Sequence, residues 1–150
     1  MRASLLQLLL GAVLAISCSV QSINRDPPDC GNCTRLRAEE IPLQRVIIDN
    51  VDYDIGDLTD WKYFRVPQPG TVKVTVALDN PDAELVVLVH DGEGAELARL
   101  ERRAEPRLET EFSATTGLYY LEINAEAQGS DYTLEVQFEP QLVPEGIDSE

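Results

Sequence analysis

Thr71-Val72-Lys73-Val74-Thr75-Val76 alternates polar and apolar side chains without a break, and that period of two decides the fold class. A strand turns successive side chains to opposite faces, so Val72, Val74 and Val76 share a buried face while Lys73 meets water. The run Tyr132-Thr133-Leu134-Glu135-Val136-Gln137-Phe138 repeats the pattern, with Tyr132, Leu134, Val136 and Phe138 facing inward. Outward from these two runs, Leu85-Val86-Val87-Leu88-Val89 is continuously apolar and suits a central strand or one covered on both faces. Residues 118–123 are also apolar, and 45–48, 62–66, 95–100 and 107–113 are further candidate strands, about eight in all. Pro69-Gly70, Asp91-Gly92 with Gly94, and Gly117 supply the turns.

No helical period competes with this texture, so the fold class is all-β: an antiparallel jelly-roll-like β-sandwich over residues 43–140, with a closed barrel as the alternative. Lys73, Arg99, Glu109 and Glu135 fall on outward positions, where an outer-membrane barrel would carry an apolar band. The length of 150 residues accommodates one folded unit beside the N-terminal segment. The formal net charge of −15, from 27 acidic against 12 basic residues, repels phosphate backbones and excludes nucleic acid as a partner. Cationic surfaces, basic proteins and divalent cations remain open, although the same charge also serves solubility alone.

Residues 1–17 have secretory signal anatomy: Arg2, then an apolar stretch from Leu5 to Ile16 too short to span a bilayer, then small Ser17 before Cys18. Leu14-Ala15-Ile16-Ser17-Cys18 resembles the bacterial lipobox, which directs lipidation of the cysteine and cleavage before it. Ala15 stands where that motif usually has Leu, and ordinary signal-peptidase cleavage at Ala15-Ile16-Ser17 would cut the same bond. The chain has three cysteines, so any pairing leaves one over; lipidation of Cys18 removes the odd thiol. The expected attachment is to membrane through acyl chains such as palmitate. Ser19 rather than Asp after the lipidated position points to the outer membrane, with the protein facing the periplasm or the cell surface.

Residues 18–42 lack a sustained period and read as a coil tether, and 141–150 form an acidic tail. Within the tether, Cys30-Gly31-Asn32-Cys33 is expected to hold a Cys30–Cys33 disulfide. A redox pair would need a thioredoxin-like setting, and a zinc site would need two further Cys or His ligands, whereas His90 is the only histidine and lies in another segment.

From about Asp54 to Phe138 the chain carries, in order, Gly56-Asp57-Leu58, Asp60-Trp61-Lys62-Tyr63-Phe64-Arg65-Val66, Pro69-Gly70-Thr71-Val72, Ala83-Glu84-Leu85, Asp91-Gly92-Glu93-Gly94, Thr116-Gly117-Leu118-Tyr119-Tyr120-Leu121-Glu122-Ile123 and Ser130-Asp131-Tyr132-Thr133-Leu134. This order of signals resembles the bacterial pre-peptidase C-terminal domain. Two departures are Glu84, where that family usually has Asp, and Lys62, which separates Trp61 from the Tyr63-Phe64 pair. The resemblance implies a jelly-roll-like sandwich with a binding or stabilising role, and the protease-linked role is not carried over. Some members of that family bind calcium through acidic residues near the first strands, which makes Asp49, Asp52, Asp54, Asp57 and Asp60 candidate ligands; the alternative is a solvated acidic loop. No cofactor other than calcium is expected.

Catalysis is not expected: His90 reads as a strand-end surface histidine, and there is neither a phosphate-cradling glycine loop nor an HExxH pair. The expected function is an outer-membrane-anchored lipoprotein presenting a non-catalytic β-sandwich binding module for protein or polysaccharide. Loops and the aromatics Trp61, Tyr63, Tyr119 and Tyr120 would supply the contact, with Trp61 and Tyr63 on the strand face opposite Phe64 and Val66. The alternative is a structural or accessory lipoprotein that docks within a cell-envelope assembly.

Overall fold

Alternation along the chain is converted into two packed sheets in the computed structural model, which describes residues 31–102 and 105–142. The strands are β1 (Glu39–Glu40), β2 (Val46–Asp52), β3 (Thr59–Val66), β4 (Gly70–Leu78), β5 (Glu84–Asp91), β6 (Glu96–Glu101), β7 (Arg107–Ala114), β8 (Gly117–Ala127) and β9 (Gly129–Pro140). One sheet has the order β1-β3-β8-β5-β6 and the other β2-β9-β4-β7. The fold is the expected β-sandwich, with every candidate strand present. The added element is the two-residue β1, which pairs with β3 in parallel, so antiparallel pairing is not universal.

The core lies between the sheets. Val72, Val74 and Val76 of β4 and Leu134 and Val136 of β9 meet Leu85, Val87 and Val89 of β5 and Leu121 and Ile123 of β8, all buried. Each fully buried valine or leucine is worth about 1.5–3 kcal/mol relative to exposure, so these short strands are held mainly by their inward faces. Tyr119 is part of this core: its ring stacks on Phe64 at 5.7 Å, and its hydroxyl donates to the Thr115 carbonyl at 3.1 Å while accepting from the Thr115 amide at 2.9 Å. The expectation that Tyr119 contributes to a binding surface is therefore corrected; an inward register leaves it no access.

The expected coil over 18–42 is also corrected from Asn32 onward. The Asn32 carbonyl accepts the Trp61 amide at 2.9 Å, a 3-10 turn spans Arg35–Arg37, β1 adds to the edge of β3, and Ile41 is buried in the core. An unpaired strand edge and an uncovered apolar face together make this docking favourable. Residues 32–41 thus form a strap along one edge of the five-stranded sheet. Cys18, Cys30, the signal segment and most of the acidic tail lie outside the described residues; Cys33 is disulfide-bonded.

Candidate functional site

Strand register assembles the outer face of the five-stranded sheet. Tyr63 of β3 stands opposite Tyr120 of β8, which stands opposite His90 of β5; one step along, Trp61 is opposite Glu122, which is opposite Leu88. The register shifts between Val89 and His90 where β5 pairs with β6, an irregularity of the kind that re-aims a side chain. The Trp61 and His90 rings stack at 5.4 Å with 21° between their planes, Tyr120 meets Trp61 edge-on at 6.5 Å, and Tyr63 lies 6.0 Å from Tyr120. All four rings are half-buried, with one face or edge open to solvent.

Polar groups rim this cluster. His90 Nε2 bonds Glu122 Oε2 at 3.2 Å, the Tyr63 hydroxyl donates to Glu40 Oε2 at 3.0 Å, and Arg65 Nε donates to Glu40 Oε1 at 3.2 Å. From the strap, the Arg35 guanidinium sits 4.3 Å above the Tyr120 ring and donates to the Gly92 carbonyl at 2.5 Å. The turn that receives it is built by Asp91, whose Oδ1 accepts the amides of Glu93, Gly94 and Ala95 at 2.8–2.9 Å and is held below the usual carboxylate range by them. Gly94 is required there: its φ is +99°, and a Cβ would fall 2.7 Å from Arg35 Nη1.

The inward side of the same β3 segment holds a charged cluster that joins the two sheets. Lys62 is 0% exposed, Asp60 1%, and Tyr132 of β9 0%. Lys62 Nζ donates to Glu39 Oε2 of β1 at 2.7 Å and to Asp49 Oδ2 of β2, while the Tyr132 hydroxyl donates to Asp60 Oδ2 at 2.5 Å. Burial pushes the Asp60 carboxyl up to about 7, with Asp49 and Asp57 adding to the rise and Lys62 and Tyr132 opposing it. Burial works against the Lys62 ammonium, but Asp60, Asp49 and Glu39 outweigh it and Lys62 stays charged. Burial likewise lifts Asp49 and, strongly, Tyr132.

The five aspartates offered by the sequence are therefore divided. Asp49 and Asp60 enter the Lys62 cluster. Asp52 caps the 3-10 turn Tyr53–Ile55 by accepting the Asp54 amide at 3.0 Å, and its backbone bridges that of Asp57, which is buried; Asp54 is exposed. Among the described residues no three His, Cys, Asp or Glu side chains form a group that could hold a metal ion. Trp61 and Tyr63 do fall on one outward face, as alternation requires. Arg35, His90 and Glu122 join them without having been foreseen, because the contacts that bring them together link residues far apart in the chain, by 29 positions for Trp61 with His90 and 85 for Arg35 with Tyr120. Among the described residues no helix is long and apolar enough to cross a membrane.

No protein-family model matches the chain, and no curated protein sequence does. Among solved structures, the pre-peptidase C-terminal domain of a collagenase from Bacillus anthracis superposes with a TM-score of 0.59 at 22% identity, covering 66% of this chain and 93% of that one. A mitogen derived from Yersinia pseudotuberculosis gives 0.46 at 15% identity over 73% of this chain and 93% of its own. The periplasmic inhibitor of g-type lysozyme from Aeromonas hydrophila gives 0.43 at 8% identity over 68% and 96%. The chain thus has a β-sandwich fold of the pre-peptidase C-terminal kind.

Proposed function

We propose that this protein is a lipid-anchored, non-catalytic binding module of the bacterial cell envelope, and that it holds a protein or polysaccharide ligand against the outer face of its five-stranded sheet. The observation that carries the reading is the cluster of Trp61, Tyr63, Tyr120 and His90. These rings are half-open, fixed by stacking and by strand register, and rimmed by Arg35, Glu40 and Glu122. Rigid aromatic surface with polar partners at its edge gives contact area at low entropic cost. The acidic surface favours neutral or cationic ligands.

Anchoring rests on the lipobox-like Leu14-Ala15-Ile16-Ser17-Cys18 and the odd cysteine number, and the strap ties the anchored end to the same sheet. The outer membrane is the proposed location. Binding is tested with the full chain, reading the fluorescence of its single tryptophan while isolated envelope polysaccharide or an envelope protein extract is titrated. One of the two is expected to shift Trp61 emission saturably, and Tyr120→Ala and Tyr63→Ala are expected to weaken the response at least roughly tenfold, as loss of aromatic anchors does. A wild-type emission unchanged by either titrant refutes this face as the site.

A further inference from the structure

We propose that Lys62 and Asp49 are a covalent modification site, at which the lysine amine and the aspartate carboxyl condense within the folded domain into an isopeptide bond that ties β3 of one sheet to β2 of the other. The geometry is that of reactants already assembled. Lys62 Nζ is fully enclosed and in direct contact with Asp49 Oδ2, and the Asp49 side chain is only 10% exposed. Glu39, which also contacts Lys62, is 57% exposed at the sheet edge, where water hydrates its carboxylate and favours the ion pair over condensation. A buried pair held in contact between the two sheets replaces a bimolecular encounter by an intramolecular one, worth several orders of magnitude in rate. The dry interior also favours the uncharged product over two separated charges.

The step balances without a co-reactant. The Lys62 ammonium passes one proton to Asp49 Oδ2, leaving an amine and a carboxylic acid. The nitrogen lone pair attacks Asp49 Cγ to form the new C–N bond. A second proton moves from nitrogen to the hydroxyl on that carbon, the C–O bond breaks and water leaves. Asp60, two residues before Lys62 on the same inward face and fixed by Tyr132, is the group this proposal assigns to relay the proton.

Tryptic mass mapping of the folded, purified protein after denaturation decides the matter. Trypsin normally cuts after Arg45, Lys62 and Arg65, with no other Lys or Arg between 46 and 65. Condensation is expected to give one uncut peptide spanning 46–65, lighter than its sequence by one water. A succinimide at any aspartate would lose the same mass but leave Lys62 cleavable, so the missed cut separates the two. Asp49→Ala is expected to restore cleavage, and Asp60→Asn to slow bond formation in freshly refolded protein by roughly a hundredfold, in line with the loss of one proton-transfer group. Release of 46–62 and 63–65 at full mass from the wild type overturns the proposal, and so does an adduct joining Lys62 to Glu39.

Discussion

At the scale of single residues, Asp60 makes folding depend on pH. Its carboxyl titrates near 7 in the fold against an ordinary value of 3.8, so between those values the folded chain keeps a proton that the unfolded chain has lost. The stability this contributes is fully present below about 3.8, declines as pH rises and is gone above about 7; its ceiling is roughly 4 kcal/mol. Asp91 and Glu109, both held low, act in the opposite sense and only in acid, and both lie near solvent, Asp91 half-buried and Glu109 exposed, so they weigh little. Denaturant melts are therefore expected to show a higher midpoint at about pH 5 than at about pH 8, with Asp60→Asn flattening the difference. An unchanged slope in that variant would assign the effect to another group. Relative to the uncondensed chain, Lys62→Met is expected to cost about 3–5 kcal/mol, because it leaves Asp49 and Asp60 buried without their cation, and adding Asp49→Leu should recover part of that loss. This cluster was not legible in the chain. Lys62 reads as a polar interruption between aromatics, and Asp49 and Asp60 read as parts of an acidic run, until contacts across 13 and 72 residues show what each one faces.

At the scale of elements, continuous apolar runs placed β5 and β8, β-rich runs between turn residues placed β2, β3, β6 and β7, and period-two patterning placed β4 and β9. Val72-Lys73-Val74 is the plainest instance, and the same alternation separated Trp61 and Tyr63 from Phe64 and Val66. The strap was not legible for the opposite reason. Glu39-Glu40 is short and charged, and what fixes it is the free edge of β3, which no local pattern announces. The strap is locked at its far end by Arg35 over Tyr120 and the turn at Gly94. Gly94→Ala is expected to destabilise the domain by about 1 kcal/mol or more, since it places a side chain at φ +99° and against the guanidinium. Amide exchange at Trp61, whose N–H is held by the strap's Asn32 carbonyl, should quicken before exchange in β4 or β9; uniform quickening of all three would mean the strap has no separate stability.

At the scale of the whole molecule, a sandwich with one aromatic face edged by the strap suits the proposed module that holds a ligand close to a membrane. If Cys18 carries the anchor, Cys18→Ala should move the protein from the membrane fraction to the soluble one, and labelled fatty acid should be lost with it. Wild-type protein that never takes up label would refute the anchor while leaving the binding face untouched. The central claim, that this face is where the ligand sits, is tested most directly by placing a photo-crosslinking residue at Leu88, opposite Glu122 on the same face, in the full chain, in envelopes, and comparing it with the same residue at Lys73 on the other sheet. A discrete adduct from position 88 that is absent from position 73, and that disappears with Tyr120→Ala, is the predicted result; equal adducts from both positions, or none from position 88, would contradict it.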